Sequence, residues 1–265
     1  MKTISLVLSS GGARGLAHIG VIDELLSRGY HINSIAGASM GSLVGGMFAA
    51  GKLDDVRSWM LSLSNRQKIS YIDLSLSLNH LVKGDKIMNA FKKIVPDVNI
   101  EDLPINYCAV AADWKNSTEV VFNRGSLYEA IRASISIPLF FKPVYHDRQI
   151  LVDGGIINPL PLNRVQRTQG DMLVYVNVNG NSILQDTENK DVNTSNPNYF
   201  SLLSKTIQLM IHQNSVLMSQ LCPADIAIDI PFDRYGGFEY DKVEEIISYG
   251  RACAKEAIDR YERSK

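Results

Sequence analysis

Cysteine and long apolar runs are scarce in this 265-residue chain, and each scarcity excludes a class of protein. Three cysteines without a C-x-x-C spacing are too few for a disulfide scaffold and indicate reduced thiols rather than a metal site. The most apolar long stretch, residues 41–51, is far shorter than the roughly 20 residues of a membrane span. The net charge of −1 provides no field that would attract nucleic acid.

What remains is the composition of a soluble globular protein. Hydrophobic residues make up 45% of the chain and charged residues 21%, as in a protein with one sizeable core. No repeat or linker divides the sequence, so we expect a single domain over residues 1–265. The first residues lack the features of a signal peptide, which favours a cytoplasmic location. Any membrane contact would be transient, local and apolar, and no cofactor is indicated.

Short apolar runs alternate with helical periodicity, which predicts an α/β protein with three layers, a mostly parallel central sheet flanked by helices. The predicted strands are 4–8, 34–37, 105–111, 119–122, 150–152, 172–178 and 226–230. The predicted helices are 16–28, 40–50, 84–95, 126–134, 200–221 and 242–261. Residues 74–82 suit either an apolar flap or a buried strand or helix edge, and residues 179–198 suit a polar loop.

The strongest motif is Gly37-Ala38-Ser39-Met40-Gly41, a G-x-S-x-G sequence between a predicted strand and a predicted helix. Gly37 and Gly41 permit a sharp turn that exposes the serine hydroxyl, with the helix N-terminus behind it. This context favours Ser39 as a nucleophile, and an ordinary tight turn is the alternative.

A second glycine-rich turn, residues 9–15 with the sequence SSGGARG, joins the first predicted strand to the first predicted helix. Glycine amides at a helix start can stabilise a developing oxyanion, because no side chain blocks the approach. The spacing matches neither a P-loop nor G-x-G-x-x-G. An oxyanion hole is therefore favoured over a nucleotide-binding turn or a purely structural one.

The third motif, Asp153-Gly154-Gly155, follows a predicted apolar strand. Alone it is more typical of an ordinary turn than of a site. All three motifs, however, follow predicted strands, and the carboxyl ends of parallel strands meet at one edge of a sheet. We therefore expect the three motifs to contribute to one site.

In order and spacing these motifs resemble those of the patatin-like phospholipases, bacterial members included. The resemblance covers about residues 4–180 and includes the segments 16–21, 133–138 and 158–161. Two positions depart from the family pattern. Ser10 replaces a frequent glycine and is expected to tighten the approach to the oxyanion hole, whereas Leu139, after Pro138, is expected to alter the acyl pocket.

The resemblance implies a catalytic dyad without histidine, in which Asp153 accepts the proton of Ser39 as the hydroxyl attacks an ester carbonyl. It also implies that the amides of Gly11, Gly12 and Met40 hold the oxyanion. The implied substrate is a lipid or fatty-acyl ester, cleaved by a phospholipase A, lysophospholipase or esterase activity.

Other residues of the motifs would support this site. Arg14 would either neutralise a substrate phosphate or brace its loop. The remaining support residues are Ser10, Gly15, Gly37, Gly41, Gly154 and Gly155. Apolar residues 43, 47, 48 and 137–141 suit the core, or alternatively an acyl channel.

Three other functions stay open. An α/β-hydrolase triad would need a histidine after Asp153, and His212 alone meets that condition. Because His212 falls inside a predicted helix, we expect it to be a helix-surface residue. A binding or regulatory module without enzyme activity and an acyltransferase are the other two alternatives.

Overall fold

The computed structural model describes residues 2–64, 89, 91–93, 95–138, 140–181 and 199–265. The strands are β1 Lys2–Leu8, β2 Tyr30–Ala38, β3 Asn106–Asp113, β4 Thr118–Phe122, β5 Val144–His146, β6 Gln149–Asp153, β7 Met172–Gly180 and β8 Ile226–Pro231. The α-helices are α1 Ala17–Ser27, α2 Met40–Ala49, α3 Leu53–Ser62, α4 Leu127–Ser134, α5 Tyr199–Leu221 and α6 Val243–Arg263. Short 3-10 helices occupy Gly12–Leu16, Ile100–Asp102, Gly154–Ile156 and Tyr240–Lys242.

The strands form one sheet in the order β5-β6-β3-β2-β1-β7-β8, and β4 pairs with β3 beside this path. The five strands from β3 to β8 in this order run parallel, whereas β4, β5 and β6 join by antiparallel pairing. The predicted fold class, a mostly parallel sheet flanked by helices, is therefore confirmed.

Both faces of the sheet are buried, as the continuous apolar runs of its central strands require. Leu6 and Leu8 of β1 belong to the larger core cluster, which α1, α2, α4 and α6 cover. Val7 points to the opposite face and packs with Leu160 and Leu162 beneath Met218 of α5. The second covering layer thus consists of one helix and an irregular segment rather than helices alone.

The two edges of β3 determine which strand ends meet. β2 and β4 both pair with residues 109–110, so they lie on opposite edges of β3. By the same reasoning β6, which pairs with residues 111–113, lies on the edge that β2 occupies. Ala38 pairs with Val110 and Asp153 pairs with the next residue, Ala111. β2 and β6 therefore run towards each other, and their carboxyl ends meet head to head.

This arrangement corrects one expectation from the sequence. The third motif was expected at the carboxyl end of a parallel strand, but β6 is antiparallel and approaches from the opposite direction. The three-residue β5 and the helix α3 were not predicted. The predicted helix 84–95, the stretch 74–82 and the loop 179–198 fall wholly or largely outside the described residues, as does Leu139. Within the described ranges, no helix is long and apolar enough to cross a bilayer.

Helices α1 and α6 cross where two glycines bring their backbones together. A Cβ atom added at Gly20 would overlap the carbonyl oxygen of Ile247, and one added at Gly250 would overlap the carbonyl oxygen of Ala17. Beyond the crossing, Arg28 pairs with Asp259 at 2.6 Å. Both helices belong to the core cluster that includes Leu6 and Leu8 of β1, and β1 leads directly into the glycine-rich turn.

We predict that Gly20→Ala destabilises the protein. At an interior position of a helix, alanine is normally more favourable than glycine by about 1 kcal/mol. Here its methyl group meets rigid backbone, so we expect a loss of about 1–3 kcal/mol in the free energy of unfolding, measured by urea denaturation. The exposed control Ser248→Ala should change that free energy by less than about 0.5 kcal/mol. Equal effects of both variants would contradict the close crossing.

Candidate active site

Ser39 occupies a strained turn between β2 and α2. Its backbone has φ 51° and ψ −122°, a conformation rare for residues with a side chain. The flanking glycines allow the turn, because a Cβ atom at Gly37 would contact the carbonyl of Gly41 and one at Gly41 would overlap that of Leu8. Strand, sharp turn and helix therefore follow in the order that the motif predicts.

Hydrogen bonds fix this turn from both sides. The Ser39 amide donates to Oγ of Ser134 at 2.9 Å, and that hydroxyl donates to the carbonyl of Val110 at 2.6 Å. The Ser39 carbonyl accepts from the amides of Ser42 and Leu43 at 2.9 and 3.2 Å. Ser134 thus connects the turn to β3, the strand whose edge positions β2 and β6.

The predicted contact between the hydroxyl at 39 and the carboxylate at 153 is present. Oγ of Ser39 donates to Oδ2 of Asp153 at 2.5 Å, and the amide of Gly155 donates to Oδ1 at 2.7 Å. Each of the two side chains is only 3% exposed. The geometry allows direct proton transfer from serine to aspartate, while the catalytic role of both residues stays a prediction.

Burial sets the basicity of Asp153. Loss of hydration raises the pKa of its carboxyl group from 3.8 to about 7, although the hydrogen bonds from Ser39 and Gly155 act in the opposite direction. A carboxylate with this pKa holds a proton far better than an ordinary aspartate does. It is therefore suited to accept a proton and return it near neutral pH.

The glycine-rich turn lies beside Ser39. Gly12 begins a 3-10 helix with φ +56°, and Met40 begins α2. The first amides of a helix have no acceptor within it, so these N–H groups are available to a ligand. Gly12 and Met40 border the same cleft as Ser39, and Gly11 borders a second cleft together with Ser39 and Asp153. The three predicted oxyanion donors thus surround the serine.

Close packing accounts for the other motif glycines. An added Cβ atom would contact a neighbouring residue at each of them: Val178 from Gly11, Met40 from Gly15, Val110 from Gly154 and Ser10 from Gly155. Ser10 itself borders the second cleft, and its amide donates to the carbonyl of Pro159 at 2.8 Å. Its hydroxyl is buried and has no hydrogen-bond partner among the described residues.

Arg14 braces the turn. Its guanidinium donates to the carbonyls of Phe232 and Tyr235 at 3.0 and 3.5 Å and to Oδ1 of Asn179 at 3.0 Å. Burial lowers its pKa to about 10, and no carboxylate pairs with it in the described part of the chain. Arg14 also lines the second cleft, so its positive charge lies beside the space where a ligand could bind even though its hydrogen bonds hold the turn.

The histidines take other roles. His18 is fully buried, and its Nε2 lies 2.9 Å from the carbonyl of Ser9, where Nε2–H donates. Burial lowers its pKa to about 4, so the ring is neutral. His212 was expected on a helix surface, but it is half-buried, with Nδ1 2.7 Å from the Asn179 carbonyl and its ring against Phe232. Neither cleft includes a histidine among the described residues that line it.

Two clefts meet at Ser39. The first, of about 810 Å³ including the open space at its mouth, is lined almost entirely by apolar side chains, among them Leu43, Trp59, Phe91, Ile137, Phe141 and Val243. The second, of about 640 Å³ including the open space at its mouth, has a mixed lining. Asp153 and the polar side chains of Ser10, Arg14, Asn179, Ser204 and Gln208 share it with apolar side chains, among them Phe140, Ile156, Ile207 and Ile211. We call it the polar cleft because both charged groups of the site, Arg14 and Asp153, line it. Of the residues expected in a core or an acyl channel, Leu43, Ile137 and Phe141 line the apolar cleft. Met47 is core.

Several residues at this site carry no sequence signal. Ser134 lies in a segment that resembles the family, but nothing local indicates that it binds the Ser39 amide. Phe238 and Tyr240 border the clefts from the connection between β8 and α6, where the sequence shows no motif. Only the packing of that connection against the glycine-rich turn identifies them.

A serine at a strained strand-to-helix turn, hydrogen-bonded to a buried aspartate on an α/β sheet, has the geometry typical of α/β proteins with a nucleophile elbow. Within this class, the family model for patatin-like phospholipases matches residues 6–165. The match covers more than half of the chain, and the chain belongs to the patatin-like phospholipase family.

Relatives agree with this assignment. The chain is 47% identical over 177 residues to the uncharacterized NTE family protein Rv1063c of Mycobacterium tuberculosis, which covers 67% of this chain and 49% of that protein. It is 25% identical over 272 residues to Lysophospholipase NTE1 of Candida albicans, covering 94% of this chain and 19% of that protein. The chain thus spans about half the length of its mycobacterial relative and less of the yeast protein.

A solved structure supports the fold alone. VipD from Legionella pneumophila superposes with a TM-score of 0.50 at 14% identity, over 98% of this chain and 67% of that one. The likeness agrees with the sheet and helix layers described above.

We predict that Ser134→Ala weakens the turn at Ser39. The change leaves a buried amide and a buried carbonyl without their partner, so we expect a loss of about 1–3 kcal/mol in stability and slower labelling of Ser39 by a fluorophosphonate. Ser126→Ala is the control on the same helix, because it removes an N-cap bond to Glu129 at a cost of about 1 kcal/mol without touching the turn. Equal slowing by both variants would argue against this role of Ser134.

Proposed function

We propose that this protein hydrolyses the fatty-acyl esters of lipids, with Ser39 as the nucleophile and Asp153 as its base. The observation that carries the proposal is the 2.5 Å hydrogen bond between these two buried side chains, at the point where an apolar cleft meets a polar one. Family membership points to the same chemistry.

In the first half of the reaction, the Ser39 hydroxyl attacks the ester carbonyl while Asp153 accepts its proton. The carbonyl oxygen becomes an oxyanion, which the amides of Gly11, Gly12 and Met40 stabilise. The tetrahedral intermediate then collapses, and the protonated Asp153 donates its proton to the departing alkoxide. An acyl chain remains on Ser39.

In the second half, a water molecule takes the place of the alcohol. Asp153 removes a proton from this water as it attacks the acyl-enzyme, and the same amides hold the second oxyanion. Collapse returns the proton to Ser39 and releases a fatty acid. The raised pKa of Asp153 serves both halves, because the group must bind a proton and then give it back.

The substrate follows from the lining of the clefts. A long acyl chain gains about 0.8 kcal/mol per buried CH₂ group, and the apolar cleft is suited to bury one. The polar cleft would hold the alcohol, and the name of the yeast relative, Lysophospholipase NTE1, points to a lysophospholipid as one such ester. Transient contact with a lipid surface is part of this proposal, because α5, which lines the polar cleft through Gln208 and Ile211, also exposes the apolar side chains of residues 209, 210 and 217.

We predict that Ser39→Ala lowers ester hydrolysis by at least about a thousandfold while the fold stays intact. Asp153→Asn should cost at least about a hundredfold, because it removes the base without changing side-chain volume. The assay is turnover of p-nitrophenyl esters of graded chain length and of a phospholipid, with circular dichroism to report folding.

His212→Ala is the matched control and should retain most of the activity. A loss as large as that of Ser39→Ala would favour a histidine triad. A folded wild-type protein whose Ser39 ignores a fluorophosphonate would instead indicate a binding module, and acyl products on an acceptor other than water would indicate an acyltransferase.

The raised pKa of Asp153 also predicts opposite pH dependences for activity and stability. The base must be ionised, so kcat/KM should rise with pH through about 7. The folded protein holds this proton more tightly than the unfolded chain does. The resulting stabilisation is complete below pH 3.8 and is lost as the pH rises through about 7.

Urea denaturation of the wild type and Asp153→Asn between pH 5 and 8 tests this linkage. The free energy of unfolding of Asp153→Asn minus that of the wild type should therefore increase as the pH rises from 5 to 8. A stability difference that does not change with pH would mean that Asp153 titrates normally.

A further inference from the structure

Two apolar side chains stand where the two clefts meet. Four residues line both clefts: Gly12, Ser39, Ile137 and Phe238. Gly12 and Ser39 belong to the proposed chemistry, and glycine contributes no side chain. Ile137 and Phe238 are therefore the two side chains, besides Ser39, that separate the apolar cleft from the cleft containing Asp153.

Phe238 is held in place from two directions. Its ring packs against Phe140 with ring centroids 4.4 Å apart. The preceding residue, Gly237, accepts a hydrogen bond from the amide of Ala13 at 2.8 Å, and a Cβ atom at Gly12 would overlap that same carbonyl. The phenylalanine is thus anchored to the glycine-rich turn.

Arg14 reinforces this anchor. Its guanidinium binds the carbonyls of Phe232 and Tyr235, in the same connection between β8 and α6. The amide of Tyr240 also donates to the Phe238 carbonyl at 2.9 Å. The connection and the turn that would bind the oxyanion therefore form one rigid unit beside Ser39.

The position of Asp153 gives the two clefts different roles. Asp153 lines the polar cleft and is absent from the lining of the apolar one. The departing alkoxide must reach the proton on Asp153, and so must the water that replaces it. The alcohol side of the ester consequently lies in the polar cleft, and the acyl chain lies in the apolar cleft.

From this geometry we propose that Phe238, together with Ile137, is a partition that determines ester orientation. It assigns the acyl chain and the alcohol to separate clefts, so that a long chain is accepted more readily on the acyl side of the ester than on the alcohol side. This specificity role rests on the proposed function. Phe238 lies beyond the residues that the family model matches.

Two isomeric esters test the partition. Methyl decanoate carries its long chain on the acyl side, and nonyl acetate carries it on the alcohol side. We expect the wild-type protein to favour methyl decanoate by at least about tenfold in kcat/KM. In Phe238→Ala the nonyl chain can cross into the apolar cleft, so kcat/KM for nonyl acetate should rise by about tenfold.

A rise in one activity separates this role from damage to the fold, which can only lower both. Phe141→Ala is the matched control, because Phe141 lines the apolar cleft without reaching the polar one. It should lower turnover of methyl decanoate without raising that of nonyl acetate. Phe238 is only partly buried, so its truncation should not unfold the core, which thermal denaturation would verify.

The outcomes are distinguishable. If the wild-type protein hydrolyses methyl decanoate but Phe238→Ala shows no rise in kcat/KM for nonyl acetate, the partition is wrong and the proposed function stands. Equal wild-type turnover of the two isomers would also overturn it. Turnover of neither ester by the folded wild-type protein would overturn the proposed function, and the partition with it.

Discussion

The convergence of two strands along one edge of β3 is the constraint on which the site depends. β2 ends against Val110 and β6 ends against Ala111, so the residues at their carboxyl ends must meet. Ser39 follows β2 immediately, and Asp153 is the last residue of β6. Backbone pairing over three strands thus positions the two side chains more firmly than two loops would.

The features that reduce the free energy of unfolding are concentrated at the site. Ser39 has a strained backbone, Asp153 is buried without a cationic partner among the described residues, and Arg14 is buried without an anionic one. Each feature opposes folding by itself. The apolar packing on both faces of the sheet and the close crossing of α1 and α6 lie elsewhere and offset that cost. This separation of stability from function is common in enzymes, where sites retain strain that the surrounding fold supports.

The elbow could be predicted from the sequence because its causes are local. The close packing of Gly37 against Gly41 and the strained φ of Ser39 arise within five residues, so a short motif carries the information. The contact of Gly41 with the Leu8 carbonyl is the long-range part of the elbow. Asp153 was located correctly beside Ser39, but for an incomplete reason: pattern alone does not tell whether β6 runs parallel or antiparallel. Phe238 was missed because its position depends on hydrogen bonds to a turn more than two hundred residues earlier in the chain. What sequence alone could not supply was therefore long-range pairing, rather than the chemistry of individual residues.

Burial also explains how the proposed dyad would work without a histidine. Desolvation penalises the charged form of any group, so it raises the pKa of an acid and lowers that of a base. Here it raises the pKa of Asp153 to about 7 and lowers that of His18, behind the glycine-rich turn, to about 4. The aspartate thereby acquires the proton affinity usually associated with histidine, while His18 stays neutral and binds the Ser9 carbonyl. The same low-dielectric surroundings that would strengthen an oxyanion hole would thus also raise the basicity of the proposed base, and the proposed dyad would need no third catalytic residue.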